Sequence, residues 1–214
     1  MNEQIFIQRE GEKMPKSPER CQEIRDEMRS RILHDSMLYF ARNGFAGTKI
    51  SDLARQIGIG QGTIYVYFKS KEDLFQEIFK MMDRESDIKR LKMLSAIPMP
   101  AKEKIHKLSK TLLEELKKDE NFAAVITLNT QMLLELNADN AFMNTTYQTD
   151  LYKYTAKIIE QGQKEGSVVE GSSIKLADYY WGVIYLYSLK RLFTTKYEMI
   201  SVEDLERILL KEVQ

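Results

Sequence analysis

The chain has 214 residues, 43% of them hydrophobic and 30% charged, with 32 Lys+Arg against 32 Asp+Glu. That composition supports one or two globular domains with a sizeable core and argues against disorder. Ten glycines and four prolines are too few for a many-turned β-sandwich. No run approaches the length of apolar sequence that a bilayer needs, and residues 1–16 lack the features of a signal peptide. The single cysteine, Cys21, cannot form an internal disulfide, and there is no Cys cluster for zinc. A cytoplasmic protein without metal or cofactor is expected.

The zero net charge is unevenly distributed. Residues 13–71 carry eleven bases and six acids, a net +5. Such a segment is the local footprint that phosphate binding needs, although a chance fluctuation would look the same.

Residues 1–16 read as a flexible arm. Ser17-Pro18-Glu19 then offers a cap, a proline at the first helical position and a first-turn acid. The helix it opens runs to Gly44, with Ile24, Met28, Ile32, Leu33, Met37, Phe40 and Ala41 on one stripe. Thr48 can cap a short second helix whose inward set is Ile50, Leu53, Ala54 and Ile57, ended by Gly58. A third short helix spans roughly 61–68. Ser70-Lys71-Glu72-Asp73 is a capping-box pattern that opens a fourth helix, expected to run to about Leu94. Ile97-Pro98-Met99-Pro100 breaks the chain. Further helices are expected at about 101–118, 121–137, 140–165, 173–195 and 201–213, with no convincing strand. The expected class is all-α with about nine helices. It divides into a unit of mostly short helices at 17–70 and a unit of longer helices at 71–214.

Two short helices joined by a Gly-containing turn behind a longer helix make a helix-turn-helix. The second short helix of such a motif lies in the major groove. Gln61, Thr63, Tyr65 and Tyr67 are read as its outward residues, with Gly62 between them and Lys49, Lys69 and Lys71 nearby. Polar and aromatic groups there can meet base edges and phosphates. Lys49 and Lys69 read equally well as solvated lysines; a Tyr65 packed on the first helix and a Thr48 that is only a cap are the alternatives for those two.

The run Gly44-Phe45, Thr48, Ile50, Leu53-Ala54, Ile57-Gly58-Ile59, Gly62-Thr63-Ile64-Tyr65, Tyr67-Phe68-Lys69-Ser70-Lys71-Glu72 and Leu74 resembles the signature of the TetR (tetracycline-repressor-like) transcriptional regulators. The resemblance covers about residues 20–80, and it implies that 17–70 is the DNA-binding domain and 71–214 a helical effector-binding and dimerisation domain. It implies that Thr48 contacts phosphate through its hydroxyl or amide, and that Gln61 and Thr63 meet bases or phosphate. It also implies that Tyr65 and Tyr67 face phosphate and bases, and that Lys71 binds phosphate. Gly60 departs from the Ser or Thr that many members place at the third helix's cap.

The helix at 173–195 is apolar on two sides, which suggests core on one and a partner on the other. Leu176, Tyr179, Val183, Leu186 and Phe193, with Leu205, Ile208 and Leu209 from the last helix, are the expected interface. The resemblance implies a homodimer built from the last two helices, and a helix central to a single chain is the alternative. Eight of the eleven tyrosines lie between Tyr147 and Tyr197. A pocket lined by Phe122, Thr127, Asn129, Met132, Met143, Tyr147, Tyr154, Trp181 and Tyr185 would suit a small apolar or aromatic effector, though core packing explains each residue as well. His34 and His106 lie far apart and no catalytic motif is present, so an enzyme is not expected. The expected function is a repressor that binds a two-fold operator in double-stranded DNA as a homodimer and is released by its effector. A DNA-binding protein acting structurally or through a protein partner is the alternative.

Overall fold

The computed structural model describes residues 17–82, 84–134 and 145–211, with side chains placed over 17–82, 86–131 and 150–211. Among them the chain forms α1 (Pro18–Asn43), α2 (Ile50–Ile57), α3 (Gln61–Tyr67), α4 (Lys71–Met81) and α5 (Arg84–Ala96). Then follow α6 (Ala101–Lys118), α7 (Glu120–Leu134), α8 (Thr145–Lys164), α9 (Ser173–Phe193) and α10 (Val202–Glu206). The all-α reading holds.

The helix starts follow local chemistry. Ser17 Oγ accepts from Arg20 N at 3.3 Å, Ser70 Oγ from Asp73 N at 3.1 Å and Ser201 Oγ from Asp204 N at 3.0 Å. Each bond satisfies an amide that the first turn leaves without an intrahelical partner. Asp73 closes the reciprocal bond one residue early, accepting from Lys69 N at 2.8 Å. Gly58 ends α2 in the left-handed region at φ 78°, ψ 34°, which a side chain would disfavour.

Two expected elements differ. The single helix to Leu94 is broken at Met82, whose backbone is extended at φ −69°, ψ 99°. Neither Gly nor Pro marks this site. The break buries Met82 and turns α5 onto α8. The last helix stops at Glu206 instead of reaching 213. The chain then turns and Leu210 pairs with Val168 in an isolated antiparallel bridge. Val169 N donates to Leu209 O at 2.8 Å and Lys211 N to Ser167 O at 3.0 Å, so the loop after α8 supplies the backbone partners.

One continuous core joins both units. Ile32, Leu33, Met37 and Phe40 of α1 pack with Leu53 and Ile57 of α2, Ile64 of α3, Phe68, and Leu74 and Ile78 of α4. The C-terminal end of α1 also meets α7. Arg42 pairs with Glu120, and Gln131 Nε2 donates to Ala41 O at 3.2 Å. The far unit is centred on α9, which packs against α6, α7 and α8.

Candidate nucleic-acid interface

The helix-turn-helix is held from its inner side. Leu53, Ile64 and Phe68 are essentially inaccessible. An Arg31 guanidinium nitrogen donates to Ile57 O at 2.7 Å, closing the end of α2 against α1. Burying three such side chains contributes roughly 1.5–3 kcal/mol each. With Ile64 fixed inward, the helical period decides what faces out.

Gln61, Gly62, Tyr65 and Val66 form the exposed face of α3. Tyr65 is 47% exposed and Val66 78% exposed. Thr63 and Tyr67 lie on the flank and are half-buried. Of the four residues read as outward, Gln61 and Tyr65 are exposed, whereas Thr63 and Tyr67 are only partly so. Residues two apart share a face on a strand, whereas on a helix residues three and four apart do. The sequence reading missed Val66, yet the signal was available: two residues from Ile64, it lies about 200° around the helix. An exposed apolar side chain there can meet a thymine methyl.

Two further expected contacts point inward. Thr48 is buried at 4% exposure, its Oγ1 donates to Gly44 O at 2.7 Å and its amide to Phe45 O at 3.2 Å. Both donors are engaged in the turn, so Thr48 braces it and leaves no free N–H or O–H for phosphate. It is not the cap of α2 either; Lys49 stands there, extended and without a side-chain cap bond. Lys71 is half-buried, and its Nζ donates to Phe45 O at 2.9 Å and Thr48 O at 3.2 Å. It also lies 4.3 Å from the centroid of the Phe45 ring. A lysine expected on phosphate is thus a strut between α4 and the turn that precedes α2. Lys49 and Lys69 are exposed, with no ion-pair partner among the described residues.

The expected effector residues that the structure describes lie on α7, α8 and α9. Thr127 is fully buried and its Oγ1 bonds Ser188 Oγ at 3.4 Å. Tyr154 is buried, and Trp181 Nε1 donates to Thr155 Oγ1 at 3.1 Å. Burial raises the Tyr185 hydroxyl pKa. Phe122 and Asn129 are half-buried on α7. The side chains of Met132, Met143 and Tyr147 lie outside the described residues. Of the expected interface, Tyr179, Leu186 and Phe193 are exposed and Val183 and Ile208 half-buried. Leu176, Leu205 and Leu209 are buried inside the chain, the latter two at 0% and 1%. Because α10 packs on α6 and the tail pairs with the loop after α8, Leu205 and Leu209 face inward.

Residues 32–78 match the family model described as bacterial regulatory proteins, tetR family. Over 155 residues the chain is 31% identical to the fatty acid metabolism regulator protein of Bacillus subtilis (strain 168), a match spanning 68% of this chain and 73% of that protein. The chain belongs to the TetR family. It is a DNA-binding transcriptional regulator. A crystal structure of the transcriptional regulator FadR from Bacillus subtilis in complex with stearoyl-CoA is similar at TM-score 0.53 and 25% identity, covering 84% of this chain and 94% of that one. A transcriptional regulator from Saccharomonospora viridis in complex with choline shares the fold at TM-score 0.56 and 22% identity, covering 87% and 100%. No helix among the described residues of this TetR-family chain is long and apolar enough to cross a membrane.

Proposed function

We propose that this regulator is a cytoplasmic homodimeric repressor, released from a two-fold operator by an effector whose bulk is apolar. It acts by binding and not by catalysis. The observation that carries the effector class is the 31% identity to a fatty acid metabolism regulator, together with the likeness to FadR holding stearoyl-CoA. The first effector to test is therefore a long-chain acyl thioester. In support, α9 carries a polar series among apolar neighbours, buried at Tyr180 against Ser109 at 3.0 Å and at Ser188 against Thr127, and half-buried at Trp181 against Thr155. Such a few polar anchors within an apolar bundle suit a largely apolar ligand.

The dimer reading rests on the outward face of α9. Tyr179, Leu186 and Phe193, at 57%, 47% and 55% exposure, are spaced by seven residues and form one stripe, with Gly182 between. Unpartnered, this stripe is an exposed apolar patch of the kind that marks an interface. A two-fold pair of α3 recognition helices would then read half-sites roughly 34–36 Å apart or a multiple of that.

Release requires that the effector bind the non-DNA-bound state better than the DNA-bound one, typically by 1–3 kcal/mol. Linkage then demands that operator weaken effector binding by the same factor. Calorimetric titration of stearoyl-CoA with and without operator selected from random duplex measures this. Equal affinity in the two titrations refutes sensing of that compound and favours regulation through a protein partner.

A further inference from the structure

Helix α1 reaches well beyond the core it serves. It has 26 residues, about 39 Å at the usual helical rise. Its C-terminal end is held on α7 by Arg42–Glu120 and by Gln131 on Ala41 O. Its first thirteen residues therefore point away from the effector unit. Over 18–30 only Ile24, Met28 and Arg29 are even half-buried.

The arginines of this segment differ in their partners. Arg20 pairs with Glu23 at 2.8 Å, and Arg31 pairs with Asp35 at 3.5 Å. Arg29 pairs with Glu77 and lies 5.3 Å from the centroid of the Phe68 ring, at the C-terminal end of α3. Arg25 is exposed and has no ion pair among the described residues. The positions three and four away from it are Gln22, Met28, Cys21 and Arg29, none of them an acid. Arg25 and Arg29 share a stripe of α1, because four residues is about one turn. Since Arg29 already touches the end of α3, Arg25 stands one turn, about 6 Å, further from the effector unit on that same side.

We propose that Arg25 is a phosphate contact that the helix-turn-helix alone does not provide. The exposed turns of α1 lie along the DNA backbone beside the C-terminal end of α3, and Arg25 grips that backbone together with exposed Lys69. An arginine left without an acid on a surface next to the groove-reading helix keeps its full charge for a phosphodiester, and the planar guanidinium can bind two of its oxygens. The contact fixes the approach of α3 and carries no sequence preference of its own. The proposal rests on duplex binding through α3.

The test uses the full chain and a random-sequence duplex, with binding followed by fluorescence anisotropy across a salt series. Arg25→Ala flattens the slope of log K against log salt by about 0.9 per bound protomer, and Arg25→Lys retains it. Arg20→Ala, at an arginine already paired with Glu23, leaves the slope unchanged. Circular dichroism shows all three variants as helical as the parent, because Arg25 and Arg20 are surface side chains. Cys21 is exposed, lies one turn from Arg25 on the same stripe and is the one cysteine of the chain. Duplex therefore slows its alkylation by N-ethylmaleimide in the parent protein. A wild-type slope in Arg25→Ala overturns the proposal, as does a Cys21 alkylation rate that duplex leaves unchanged. Absence of any salt-dependent duplex binding by the parent chain would instead overturn the α3 reading beneath it.

Discussion

Lys71 separates two accounts of the same lysine. If it contacts phosphate, Lys71→Met should leave the fold intact and flatten the salt slope by about 0.9 per protomer. The structure argues otherwise: Nζ donates to Phe45 O and Thr48 O and lies over the Phe45 ring. Hydrogen bonds from a charged donor contribute about 1.5–3 kcal/mol, and an exposed cation–π contact about 0.5–1 kcal/mol. The two hydrogen bonds share one ammonium, are not additive, and are weakened by the half-exposure of the side chain. A loss of about 2–3 kcal/mol is the expectation for Lys71→Met, which at the size of this chain is roughly a 4–12 °C fall in Tm. Binding to every duplex should weaken alike, because the turn before α2 loosens, while the salt slope stays at its parent value. Thermal denaturation and salt-dependent anisotropy on one preparation measure both quantities. An unchanged Tm with a flattened slope would refute the strut and restore the phosphate contact.

Gln61→Ala removes an exposed polar group from the outward face of α3, the face proposed to read the groove. It should cost about 1–3 kcal/mol on the cognate site and relax preference at one base pair, read by competition among single-base variants of the operator. Gly162 is buried on α8, where a Cβ would overlap the Val168 side chain and sit 3.1 Å from Ala101 Cβ. Gly162→Ala should therefore destabilise by about 1–3 kcal/mol in denaturant titration, although alanine in an open helix would stabilise. Glu206 is buried beside His106, whose Nδ1 lies 3.0 Å from Oε1; burial raises the carboxyl pKa above 4.5, and the His106 contact opposes the rise. A raised folded-state pKa means a contribution present below pH 4.5 and lost as pH rises through the folded value. Glu206→Gln should then equal or exceed the parent in Tm at neutral pH and lose that advantage in acid; a lower Tm at neutral pH would show the His106 contact to dominate. Glu165 has the opposite sign. Gln161 and the Ala101 amide donate to it and lower its pKa, so its contribution is present above 4.5 and lost as pH falls through the folded value. Glu165→Gln should flatten that acid-side loss in a pH series of melts.

The local parts of this protein were legible in its residues. Ser17, Ser70 and Ser201 cap helices because a cap needs only a hydroxyl three residues before an amide. Gly58 ends α2 because its own backbone freedom suffices. The helix-turn-helix was equally readable, since its core pattern and turn lie within some twenty residues. What required the tertiary structure was the direction in which a side chain points once its neighbours are in place. Thr48 and Lys71 are polar residues beside a DNA-binding helix, and only the fold of the Gly44–Thr48 turn puts carbonyls within their reach. Leu205 and Leu209 have the spacing of an interface helix. They face inward because the tail pairs with the 166–170 loop, a partner some forty residues away in the chain. The break at Met82 has no breaker residue; burial of Met82 and the seating of α5 on α8 favour it over a continuous helix. Burial and hydrogen-bond supply are properties of the assembled bundle, which is why helix boundaries set by caps were readable and side-chain roles between helices were not.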